Sequence, residues 1–106
     1  MTDRRFVVVY DRGVVAHVRA IDAKYHSLIR RTIEEQLTHQ PDREARNRKP
    51  LRWPSVFGTA WELRFGPENR FRVFYTLDRA ARRVGILAVG EKRGAVLYIG
   101  GEEFEL

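Results

Sequence analysis

The chain has 106 residues, enough for one domain with a modest core and too few for two. A hydrophobic share of 43% excludes a disordered basic tail, and the absence of cysteine excludes disulfides, thiolate nucleophiles and zinc–thiolate sites. The formal charge is +6, but three of the 14 acids, Glu102, Glu103 and Glu105, follow the last base, Arg93, so residues 1–93 carry +9 and suit nucleic acid or an acidic partner.

Phe6-Val7-Val8-Val9-Tyr10 is β-branched and aromatic, and is expected to form a strand buried on both faces. This run is too short for a signal-peptide core or a membrane span, so a cytoplasmic protein is expected. From Val14 to His39 the period becomes helical: Val18, Ile21, Tyr25, Leu28, Ile29, Ile33 and Leu37 form one apolar stripe. Asp22 can cap a second helix and divide the region into a helical hairpin, which Pro41 ends. Residues 42–58 read as a polar, irregular link containing Pro50 and Pro54.

Trp61 to Tyr75 then reads as a β-hairpin around the turn Gly66-Pro67-Glu68-Asn69. Trp61, Leu63, Phe65, Phe71, Val73 and Tyr75 form its apolar face; Glu62, Arg64, Arg70, Arg72 and Phe74 lie on the other. The simplest register places Leu63 opposite Val73 and Arg64 opposite Arg72. Two cations directly opposite repel, and an anion between them removes the conflict, so the hairpin reads as a phosphate platform. Asp78-Arg79-Ala80-Ala81 makes the next turn, and Val84 to Val89 is apolar on both faces, as a central strand is. Gly90-Glu91-Lys92-Arg93-Gly94 reads as a charged loop, and Val96 to Ile99 as a last short apolar piece before the acidic end. The order β-α-α-β-β-β describes an α+β fold, one domain over residues 1–106: an N-terminal strand, a helical hairpin, then a three- to four-strand antiparallel sheet.

Chemistry narrows by elimination. His17, His26 and His39 lack metal-ligand spacing, Ser27 and Ser55 lack a nucleophile-elbow pattern, and phosphate-loop glycines are missing, so no metal or cofactor is expected. What remains is cationic: Arg43, Arg46, Arg48, Lys49 and Arg52 in the link, Arg64, Arg70 and Arg72 on the hairpin, and Lys92-Arg93 after the next strand. An antiparallel sheet can gather these on one face, with Trp53, Phe74 and Tyr98 offering rings to bases.

The sequence resembles the RelE/ParE toxins of type II toxin–antitoxin systems over residues 6–106. The likeness is carried, in order, by Arg46-Asn47-Arg48-Lys49-Pro50-Leu51, Trp61-Glu62-Leu63-Arg64-Phe65, Phe71-Arg72-Val73-Phe74-Tyr75, Ile86-Leu87-Ala88-Val89-Gly90 and Ile99-Gly100-Gly101-Glu102-Glu103. The resemblance implies a toxin with a cognate antitoxin, forming a hetero-oligomer with it. In the RelE branch it implies a metal-independent, ribosome-dependent endoribonuclease that cuts mRNA and blocks translation. On that reading the catalytic residues are Arg64, Arg72, Lys92, Tyr98 and Glu62. RNA is bound by Arg46, Arg48, Lys49, Arg52, Arg70 and Arg93. Glu62 stands where the RNA-cleaving type often has lysine, and Lys92 where arginine is common. The alternatives are a ParE-type inhibitor of DNA gyrase without chemistry of its own, and an inactive binding relic of the same fold.

Overall fold

The computed structural model describes residues 5–51 and 60–105. Its first strand, β1 (Val7–Tyr10), leads into a helical hairpin of α1 (Val14–Arg19) and α2 (His26–His39), joined through a 3-10 turn at Ala23–Tyr25. Asp22 divides the two as expected: its extended backbone leaves the helix, and its carboxylate accepts the Lys24 N–H at 3.1 Å. Six strands follow: β2 (Arg48–Pro50), β3 (Trp61–Phe65), β4 (Phe71–Asp78), β5 (Arg83–Arg93), β6 (Val96–Ile99) and β7 (Glu102–Phe104). They lie in the order β2-β3-β4-β5-β6-β7. β1 runs parallel to the first part of β5, on the edge whose last part pairs with β6.

The α+β class holds, and the hairpin register is the expected one, with Leu63 opposite Val73 and Arg64 opposite Arg72. Ile29, Ile33 and Leu37 of α2 close over Leu63, Phe65, Phe71, Val73, Tyr75, Val84, Ile86 and Val89. Trp61 is half-buried at the rim of this core, its ring stacked on Tyr75 with centroids 6.1 Å apart. The Tyr75 hydroxyl donates to the Pro41 carbonyl at 2.7 Å, tying the end of the helical run to the sheet, and burial raises its pKa. At Gly66, with φ of 84°, a side chain would strike the Phe71 ring, so glycine is required where the hairpin turns.

Four expectations are corrected. The link of residues 42–58 is not irregular throughout, because Arg48–Pro50 pair with Trp61–Leu63 as β2. Gly90 to Arg93 are not a loop: β5 continues through them and pairs with β6. The acidic end contributes β7, so among the described residues the sheet has seven strands and is mixed, not three- to four-stranded and antiparallel. Arg-Lys-Pro and Glu-Glu-Phe carry no strand signal alone; a neighbouring ladder supplies their hydrogen bonds. Lastly, β1 is not buried on both faces: Val7, Val9 and Tyr10 are 64%, 45% and 41% exposed. Its run is β-branched and aromatic, yet among the described residues β1 pairs with β5 alone, so a strand covers it on one side only.

Between β1 and β6, the edge of β5 is interrupted at Val89. There the N–H of Val89 donates to His17 Nδ1 of α1 at 3.3 Å. Burial lowers the His17 pKa, opposed by Asp11, which suits a ring nitrogen kept as an acceptor.

Candidate functional site

Strand parity sorts the charged residues onto two sides of the sheet. Lys49 lies opposite Glu62, Arg64 opposite Arg72, and Arg72 opposite Gly90, so these groups share the face turned away from the helices. Lys92, two residues beyond Gly90, joins them. A side chain at position 90 would collide with Leu97, Ile99 and the Tyr98 carbonyl; glycine lets β6 side chains lie across β5 beside Arg72.

The cations are not left facing one another. Glu62, buried, accepts from Arg64 Nε at 2.6 Å and lies 3.7 Å from Arg72 Nη1. The protein's own carboxylate therefore occupies the place that the Arg64–Arg72 repulsion reserved for an outside anion. Arg72 is itself buried, and its Nε donates to the Asn69 carbonyl at 3.2 Å. Burial is the main cause that lowers its pKa; Arg64 lowers it further and Glu62 opposes both.

Two depressions meet at this group. One, of about 520 Å³, is lined by Glu62, Arg64, Arg72 and Lys92 with Leu97, Phe104 and Glu105 around them. The other, of about 470 Å³, lies at the strand ends between Pro67, Glu68, Arg70, Arg72, Lys92 and Arg93. Arg72 and Lys92 line both, forming the wall between them. Lys92 is half-buried, and among the described residues no carboxylate pairs with it.

Tyr98 is not part of this group. It lies opposite Glu91, one residue out of step with Lys92, and therefore faces the helical side, where Arg93 sits over its ring at 5.0 Å. Glu91 is a second buried carboxylate held by two arginines, Arg93 at 3.1 Å and Arg70 at 3.7 Å; Arg70 also donates to the Tyr25 hydroxyl at 2.9 Å. Arg70 and Arg93 thus have intramolecular partners. Arg48 is buried: its Nε donates to the Arg43 carbonyl at 2.8 Å and its Nη1 to Gln36 at 3.2 Å, so it fastens β2 to α2 instead of lying in a loop. Arg46 and Lys49 are exposed. Arg52 and Trp53 lie outside the described residues. Phe74, expected as a stacking platform, is fully buried with Ala88 and Ile99, and Leu51, Leu97 and Phe104 pack against them.

Sequence reasoning missed the bridging roles of Glu62 and Glu91. The signal was present for the first, because Glu62 and Arg64 share a strand face at a spacing of two. It was absent for the second, because Arg70 and Glu91 meet only through the β4–β5 pairing. Among the described residues no cluster of histidines and carboxylates could hold a metal ion, and no helix is long and apolar enough to cross a membrane.

The fold matches a chain of the RelBE2 toxin–antitoxin complex from Mycobacterium tuberculosis, with a TM-score of 0.68 over 83% of this chain and 92% of that one, at 19% sequence identity. The likeness establishes a shared small α+β fold, the one the sequence resemblance implies. No protein-family model matches the chain, and no curated protein matches it in sequence.

Proposed function

We propose that this protein is the toxin of a toxin–antitoxin pair, that it works in the cytoplasm, and that it cleaves mRNA on the ribosome through the open face of its sheet. The observation that carries the reading is the set of Arg64, Arg72 and Lys92 gathered around Glu62 in one depression. The matching fold in a toxin–antitoxin complex supports the antitoxin partner and the hetero-oligomer. The reaction is a metal-free transesterification. The ribose 2′-hydroxyl gives up its proton to a base as its oxygen bonds to the adjacent phosphorus, the P–O5′ bond breaks, and the 5′-oxygen takes up a proton, so no proton is gained or lost overall and the products are a 2′,3′-cyclic phosphate and a 5′-hydroxyl. Lys92, without a carboxylate partner, meets the phosphate first. Arg72 and Arg64 stabilise the charge that builds on its oxygens, and Glu62 holds both guanidiniums in place. Lys49 and Arg46 attract the flanking backbone. Tyr98, on the opposite side of the sheet, has no role in this pocket.

The test is translation in vitro with transcript ends mapped. Expected are ribosome-dependent cuts with cyclic-phosphate ends, reduced about 10²–10³-fold by Lys92→Ala or Arg72→Ala. Cuts that persist in both variants would move the chemistry elsewhere. A second reading, gyrase inhibition by binding alone, is favoured by two observations: Glu62 already neutralises much of the arginine charge, and Tyr98 faces away from it. Loss of supercoiling activity without cut transcripts would decide for that reading. Neither effect, with unimpeded growth on expression, would indicate an inactive relic.

A further inference from the structure

We infer that the depression at the strand ends, between Arg70 and Arg93, is a second phosphate subsite, so that single-stranded RNA is gripped by two successive phosphates. The inference rests on the RNA half of the reading above and deepens it, adding a site that the bond-breaking step does not use.

The two depressions differ in charge. Around the first, the three cations Arg64, Arg72 and Lys92 stand against the two carboxylates of Glu62 and Glu105. Around the second, the four cations Arg70, Arg72, Lys92 and Arg93 stand against Glu68 on the wall and the buried Glu91 behind it. The depression remote from Glu62 is therefore the more positive of the two, and its occupant is expected to be an anion. Arg72 and Lys92 form the wall between them. A single layer of side chains separates the two occupants, an interval that one nucleotide spans.

The second depression is also built before any ligand arrives. Glu91 accepts from Arg93 Nε at 3.2 Å and Nη2 at 3.1 Å, and lies 3.7 Å from Arg70 Nε. Arg70 Nη1 donates to the Tyr25 hydroxyl at 2.9 Å. Among the described residues these contacts leave Arg93 Nη1 and Arg70 Nη2 for a ligand. The rings of Tyr98 and Tyr25 lie beneath the same two guanidiniums, at 5.0 and 5.4 Å. Cations fixed in this way lose little freedom on binding. Backbone holds the rest: the Lys92 N–H donates to the Arg70 carbonyl at 2.8 Å, and Arg72 Nε to the Asn69 carbonyl. Glu68 and Asn69, in the turn beside this depression, take the left-handed φ values of 56° and 54°, which cost energy in residues other than glycine. Gly94 closes the far side at φ of 62°, and a side chain there would meet no other atom within 4 Å.

The probe is 2′-O-methyl ApApA, which cannot be cleaved and carries two phosphodiesters. It is titrated into the full chain beside two versions in which one or the other linkage is an uncharged methylphosphonate. The fully charged strand should bind at least about tenfold more tightly than either version, and should shift the amide resonances of Glu68 and Gly94. Asp and Asn tolerate positive φ, so two variants test the place without removing a cation. Gly94→Asp should reduce the advantage to about twofold or less by repulsion, and Gly94→Asn, of the same shape, should keep it. Arg93→Gln, at an exposed position, should lose the advantage as well. The inference is overturned if the charged strand does not bind or binds no better than its neutralised versions. It is equally overturned if the Asp and Asn variants bind alike, if Arg93→Gln keeps the advantage, or if the Glu68 and Gly94 amides do not move. Inorganic pyrophosphate binding as tightly as the trinucleotide would make a free anion the occupant and would also overturn it. Binding is read here without chemistry. Two-phosphate binding with no cut transcripts would keep the subsite and remove the cleavage reading, and cut transcripts without it would do the reverse.

Discussion

Both faces of the β3–β4 hairpin follow the same two-residue alternation, yet different forces hold them. The face toward α2 is a continuous apolar layer through Leu63, Phe65, Phe71, Val73 and Tyr75. The open face is divided. Around Phe74 it is a second apolar cluster, built with Leu51, Leu97, Ile99 and Phe104 from segments far away in sequence. Around Arg64 and Arg72 it is a charged lattice closed by Glu62. Alternation assigns a side chain to a face; whether water reaches it depends on what the rest of the chain lays over that face.

The strongest challenge to this contrast is a pair of truncations. Phe71→Ala on the helical face and Phe74→Ala on the open face should each cost about 3–5 kcal/mol in denaturant unfolding, because both rings are fully buried. A cost under about 1 kcal/mol for Phe74→Ala would mean that the open face is solvated there. Trp61→Ala should cost less than either, since Trp61 lies half-exposed at the rim.

Next in size is Glu62→Gln. It keeps the shape and removes the charge between the two guanidiniums, so it should destabilise by about 1–3 kcal/mol while tightening the binding of inorganic phosphate or RNA. Unchanged melting and unchanged phosphate affinity would show that the arginines are not coupled through Glu62. The same geometry reverses an expectation drawn from repulsion alone. Arg72→Ala should destabilise, not stabilise, because Glu62 loses a partner and Asn69 a donor.

Lys92→Ala sharpens the comparison from the functional side. With no carboxylate partner among the described residues, Lys92 should be replaceable within about 0.5 kcal/mol of stability while cleavage is lost. If the variant unfolds, the lysine is structural and the site must be redrawn.

The smallest effect is a pH dependence at His17. Its pKa is lowered in the folded chain, so the native state favours the neutral ring. The stability it supports is complete above the ordinary value of about 6.5 and declines as pH falls through the lowered folded value. Thermal melts at pH 7.5 and pH 5 should show a smaller difference for His17→Gln than for the parent; equal differences would remove His17 from the account.

By itself the sequence determined the α+β class, the helical hairpin split at Asp22, and the β3–β4 register to the residue. These are local or near-local properties: a cap and its acceptor lie two residues apart, and a hairpin turn fixes parity across its strands. It also placed Arg64, Arg72 and Glu62 on one face. Tertiary structure alone decided which of the candidates meet. The β5–β6 register sent Tyr98 to the helical side and kept Lys92 with the arginines. The β2–β3 ladder turned Arg48 from a loop cation into a buried fastener while leaving Lys49 on the open face. β1, β-branched and aromatic as a buried strand would be, came to pair with β5 alone among the described residues. Burial and pairing across long sequence separations depend on which strands become neighbours, and a one-residue shift in that pairing exchanges the two faces of the sheet.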